Sequence, residues 1–248
     1  FIDDQQAIRG VEIGSTKLVK EAAARWNAHV EECELTSQFR CNGSNGYLAW
    51  LDNTLDIRET ANWDMQDIDY DIQIMDSPHD VRNIILEKNV ASNNKARLLA
   101  GYCWDWPKAG RNKTTEPDII IGDFKMSWNL ENTSTFAIDE NSVNEIGCIH
   151  SSQGLEFDYV GVIIGEDLRY EDGKVVTDFT KRAKTDQSLK GIKTMYRENP
   201  EKAHKVADEI IKNTYRTLMT RGMKGCYVYC VDENLSEYLK SSIGKEEE

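Results

Sequence analysis

Short apolar runs alternate along this chain with stretches in which apolar residues recur every three or four positions. The short runs fall at 71–75, 96–100, 118–121, 136–138, 159–164 and 226–231. Each is read as a strand, and the unbroken apolar character of 159–164 is the pattern of a strand buried on both faces. After the first run, Ser77-Pro78 supplies an N-cap and a first-turn proline, and Val81, Ile84 and Ile85 continue a helix. The clearest helix opens at Asn199-Pro200. Its stripe is Ala203, Val206, Ala207, Ile210, Ile211, Thr214 and Leu218, and Gly222 stops it. Strands alternating with helices predict an α/β domain with a mainly parallel sheet flanked by helices. The tail 241–248 is expected to fray.

Composition narrows the class. The chain has 248 residues, 40% hydrophobic and 29% charged, which fits one or two globular domains and excludes a disordered or fibrous protein. No apolar run reaches the length of a membrane span, and the amino terminus has no basic, apolar leader. The first residue is Phe1 rather than methionine, so a piece of a longer chain is expected. Six cysteines stand apart with no CxxC pair, and the four histidines are isolated, so no metal site is expected. Scattered cysteines in apolar stretches point to a reducing, cytoplasmic setting.

The formal net charge is −13, which argues against a protein that coats nucleic acid by bulk attraction but leaves room for a local groove. The charge is uneven: residues 47–80 hold nine acids and one base, and residues 169–225 hold fourteen bases and eight acids. Overlapping the second region, 167–212 reads as a helical excursion carrying Lys181, Arg182, Lys184, Lys190 and Lys193. It is either a solvated face or a basic surface beside a nucleic-acid channel.

Two short motifs fail on inspection. Gly10 to Lys17 has the residue types of a phosphate loop in the wrong order, since Lys17 follows Thr16. Pro117-Asp118 with Asp123-Phe-Lys125 echoes a nuclease metal site, but the spacing is too short. An aromatic cluster, Tyr102, Trp104, Trp106 and Trp128, could stack on unpaired bases or pack under a loop.

Four segments carry more when taken in order: Ile2-Asp-Asp-Gln-Gln6, Thr36-Ser-Gln-Phe-Arg-Cys41, Ser151-Ser-Gln-Gly-Leu-Glu-Phe-Asp158, and Tyr215-Arg-Thr-Leu-Met-Thr-Arg-Gly222. In that order they resemble the later motifs of superfamily 1 helicases, and more narrowly the Schlafen group 3-like DNA/RNA helicase domain. The resemblance spans nearly the whole chain. It implies a RecA-like three-layer α/β domain with a helical insertion. Residues 1–45 would end a first RecA-like domain and its linker, and 46–240 would form a second. The first domain, with its Walker A loop, would lie upstream.

The resemblance also implies roles. Arg40, Arg221 and Gln6 would be catalytic, with Arg221 as an arginine finger and Gln6 sensing the γ-phosphate. Asp3, Phe39, Gly154 and Glu156 would meet ATP, with Phe39 on the adenine and Glu156 on the ribose. His150 and Ser151, with Trp104 and Trp106, would meet nucleic acid. An alternative alignment makes Ile2-Asp3-Asp4 a Walker B strand end holding magnesium. The implied cofactors are ATP and Mg2+ in the intact protein. The implied partners are DNA or RNA, single-stranded, and the upstream RecA-like domain. The two arginines should then converge on one outward-facing cleft rim. A degenerate module that binds protein or nucleic acid without ATP chemistry is the competing reading.

Overall fold

A computed structural model describes residues 16–32, 40–106, 117–129, 135–152 and 154–244. In chain order the elements are α1 (Thr16–Arg25), α2 (Asn45–Thr54), β1 (Asp71–Ile74), α3 (Pro78–Ala91), β2 (Ala96–Ala100), β3 (Ile119–Ile121), β4 (Phe124–Met126), β5 (Ile146–Gly147), α4 (Ile149–Ser152), β6 (Phe157–Ile164), β7 (Leu168–Glu171), β8 (Lys174–Thr177), α5 (Ile192–Glu198), α6 (Pro200–Met219), β9 (Gly222–Cys230) and α7 (Glu233–Ile243). Five strands form one parallel sheet in the order β1-β9-β6-β2-β5.

Strand periodicity divides the core into two faces. Val160, Val162 and Ile164 of β6, with Cys226, Val228 and Cys230 of β9, join α2, α6 and α7 on one face. Ile163 and Tyr227 point the other way, into a second core with Val81 and Ile85 of α3 and Phe124 and Met126 of β4. The result is a three-layer α/β domain. The α3 layer sits close because Gly161 has no side chain: a Cβ there would lie 2.6 Å from Val81 Cγ1. The sequence signals for the two main helices are realised. Ser77 accepts from His79 N at the start of α3, and Asn199 accepts from Lys202 N at the start of α6.

Three features differ from the sequence reading. The run 118–121 does form a strand, but among the described residues β3 pairs only with β4, in an antiparallel hairpin outside the main sheet. The run 136–138 is a turn. Its carbonyls are drawn inward by Arg97, which is fully buried: Nε donates to Phe136 O at 3.0 Å and Nη2 to Ala137 O at 3.3 Å and Asp139 O at 2.9 Å. A strand there would point alternate carbonyls away. Burial lowers the Arg97 guanidinium from its usual value to about 10. Finally, the excursion after residue 167 is not all helix, because it opens with the β7–β8 hairpin. No described helix is long and apolar enough to cross a membrane.

Candidate functional site

In a parallel sheet all strands start at one edge and end at the other. The described motif residues sort onto these two edges.

At the amino-terminal edge, β6 and β9 begin side by side, with Phe157 opposite Gly222. Arg221 sits just before β9. Its Nη1 donates to Leu155 O at 3.2 Å, and its own carbonyl accepts from Phe157 N at 2.9 Å. This places Arg221 against the Gly154–Leu155–Glu156 segment. Gly154 has φ +81, a left-handed conformation that glycine adopts without steric cost, and the space a Cβ would take is open. Gly154 and Glu156 are both exposed. Arg40 opens a 3-10 turn, Arg40–Gly43, and the next residue docks on the same edge. The buried Cys41 thiol lies 3.8 Å from Thr220 O, joining positions 179 apart in sequence. Cys41 itself has φ +51, an uncommon left-handed backbone for a residue with a side chain. The turns that carry Arg40 and Arg221 are thus neighbours. Arg221 is 3% exposed, however, so it lies within this edge rather than on an open rim. Asp3, Gln6 and Phe39 lie outside the described residues.

At the carboxyl-terminal edge, β2 runs into the aromatic cluster. Tyr102, Trp106 and Trp128 stack with centroids 5.2 to 6.0 Å apart, and Trp128 is fully buried. The Trp128 indole donates to Trp104 O at 3.2 Å. Burial raises the Tyr102 phenol to about 12. The half-buried His150 ring meets Tyr102 edge-on at 6.2 Å. Ser151 is buried, and its hydroxyl accepts from Cys148 N and donates to Cys148 O. Trp104 keeps part of its surface in a cleft of about 410 Å³, shared with Cys103, Ile120, Ile121, Glu166 and Lys181. Packing therefore accounts for Trp128, while Trp104 and Trp106 are both half-buried against the core and Trp104 also lines the cleft.

The excursion crosses this edge. Ala183 N donates to Tyr102 O, Lys184 N to Asp105 and Trp106 N to Thr185. Two members of its basic run are already engaged. Lys181 pairs with Glu166 at 2.7 Å. Arg182 is buried, pairing with Asp167 at 2.9 Å and Asp186 at 2.7 Å. Tyr215 hydrogen-bonds Asp167 in the same network. A charge count could not reveal this, because burial of Arg182 depends on where the excursion folds back.

The five-stranded parallel sheet with helices on both faces is the architecture of an α/β domain of the RecA-like three-layer kind. Over residues 1–232 the chain matches the model of Schlafen group 3, DNA/RNA helicase domain, and it belongs to that family. It is also 25% identical, over 221 residues, to the uncharacterized protein YPL245W of Saccharomyces cerevisiae (strain ATCC 204508 / S288c). That match covers 83% of this chain and 47% of the relative, so the chain spans about half the length of the curated relative it matches.

Proposed function

We propose that this chain is the closing lobe of an ATP-dependent nucleic-acid helicase or remodelling ATPase. The observation that carries the reading is the meeting of three motif segments at one sheet edge: the Arg40 turn through Cys41, Gly154 to Glu156, and Arg221. The donor set suits the outer side of a nucleotide held by another lobe. It offers a permanent guanidinium charge, an exposed carboxylate at Glu156 for a sugar hydroxyl, and open backbone at Gly154. ATP with Mg2+ supplies the phosphoryl group that is lost to water, and this lobe contributes no phosphate loop of its own. Its residues orient and neutralise. Arg40 and Arg221 would stabilise charge gathering on the γ-phosphate, an effect worth roughly 10³–10⁵ in rate in related phosphoryl transfers. Arg221 must swing outward to do so, which makes hydrolysis depend on lobe closure. At the opposite edge, Trp104 would meet an unpaired base.

Arg221→Ala in the intact protein should cut ATP hydrolysis by roughly 10³-fold or more and leave nucleotide binding within a few-fold. Steady-state hydrolysis and nucleotide titration check it. A rate at saturation equal to wild type would sink the finger role. This chain by itself should show no hydrolysis above a buffer blank. The near-complete burial of Arg221 favours a second reading, a binding module without ATP chemistry. Nucleic-acid binding that ignores ATP in the intact protein would select it.

A further inference from the structure

An α-helix leaves its last four carbonyls without helical partners. At the end of α6 the Arg216, Thr217 and Leu218 carbonyls are taken locally, by Thr220 N, Thr220 Oγ1 and Arg221 N. From Met219 onward every carbonyl of the turn is held from elsewhere in the molecule. Tyr47 Oη donates to Met219 O at 3.1 Å, the Cys41 thiol approaches Thr220 O, Phe157 N donates to Arg221 O, and Tyr70 Oη donates to Gly222 O at 2.9 Å. Tyr47 comes from the first turn of α2 and Tyr70 from the residue before β1. Both are buried, and their rings stack with centroids 3.9 Å apart and planes 25° apart. Burial raises both phenols well above their ordinary value, so they stay protonated and donate at neutral pH.

We propose that Tyr47 and Tyr70 are positioning residues for Arg221. Their hydroxyls pin the carbonyls two residues before and one residue after the arginine, and so set where its guanidinium lies when the lobes close. Packing alone does not require these hydroxyls, since phenylalanine fills the same space. What phenylalanine lacks is the donor that fixes the turn. The stacked rings act as one brace, and the Cys41 contact ties the Arg40 turn to it. The proposal rests on the reading of Arg221 as the finger.

The test uses Tyr47→Phe, Tyr70→Phe and the double variant in the intact protein, with Ile85→Val as a core control remote from the turn. A displacement of about 1 Å at a reacting group can cost on the order of 100-fold, so kcat for ATP should fall about tenfold or more while KM stays within about twofold. The control should keep kcat even where it loses as much Tm. A second readout needs no turnover. In the chain alone, the Arg221 Nε–H resonance should shift and exchange faster with water in the tyrosine variants, and not in Ile85→Val. An unchanged kcat and an unmoved resonance, with Arg221→Ala inactive, would overturn the positioning role while leaving the finger intact. An active Arg221→Ala would bring down the finger reading and this proposal with it. Should the double variant not fold, the two single variants make the same comparison.

Discussion

The Arg221 turn at one edge of the sheet and the Arg182 network at the other are held by different chemistry. At the amino-terminal edge, neutral donors meet backbone carbonyls: two phenols, a thiol and an amide fix the turn around Arg221. At the carboxyl-terminal edge Arg182 is held by full charges, as Arg216 is held by the buried Asp52 near the end of α6. Arg182 sits between Asp167 and Asp186, its side chain and both carboxylates no more than 2% exposed. The contrast is instructive. Neutral donors fix the backbone on either side of Arg221 and leave the placing of its guanidinium to the side chain's own contacts. An arginine sealed between two carboxylates has spent its charge on structure. Sequence position does not distinguish the two, since both arginines fall in the same base-rich region.

The largest stability effect should come from the Arg182 network. Arg182→Ala leaves Asp167 and Asp186 buried without their cation, and loss of one partner of a buried pair typically costs about 3–5 kcal/mol. Urea melts would show it, and a change under about 1 kcal/mol would mean that full charges do not hold the Arg182 network. Trp104→Ala keeps the backbone carbonyl that Trp128 uses and removes the indole of a residue that lines the cleft. Stacking on one base is worth about 1–3 kcal/mol, so affinity for a single-stranded oligonucleotide should drop roughly tenfold at fixed salt. Anisotropy titrations with DNA and RNA read this out, and equal affinities for variant and wild type would remove the base-stacking role from this edge.

The smallest effect per group is a pH effect shared by both edges. Tyr47 and Tyr70 at one edge and Tyr215 at the other are raised well above their ordinary value by burial. Below about pH 10 these phenols are protonated folded or unfolded, and their contribution is constant. Above it the unfolded chain releases protons that the folded chain keeps. Stability should then fall as pH rises, by up to about 1.4 kcal/mol per phenol per pH unit. Melts from pH 8 to 11 check the sign. Tyr215→Phe should flatten the fall by one group, and a stability that rises over this range would contradict the burial of the phenols.

The elements were largely readable from local pattern. The runs at 71–75, 96–100, 159–164 and 226–231 became β1, β2, β6 and β9, and the capped stripes became α3 and α6. Alternating or three-to-four spaced apolar residues report which side of an element is buried, and that is a property of a few neighbouring residues. The run 136–138 misled because its apolar residues belong to a turn wrapped on Arg97, a contact made 39 residues away. Motif order likewise marks Arg40, Gly154 and Arg221 as candidates from the sequence alone. Their assembly needed the fold. Cys41 reaches Thr220, Tyr47 reaches Met219 and Tyr70 reaches Gly222 only because the strand order β1-β9-β6 brings the start of β9 beside segments more than 150 residues earlier. Periodicity carries no term for such pairings. A hydroxyl or a guanidinium finds its partner through sheet order and loop path, and those are decided when the whole domain closes on its core.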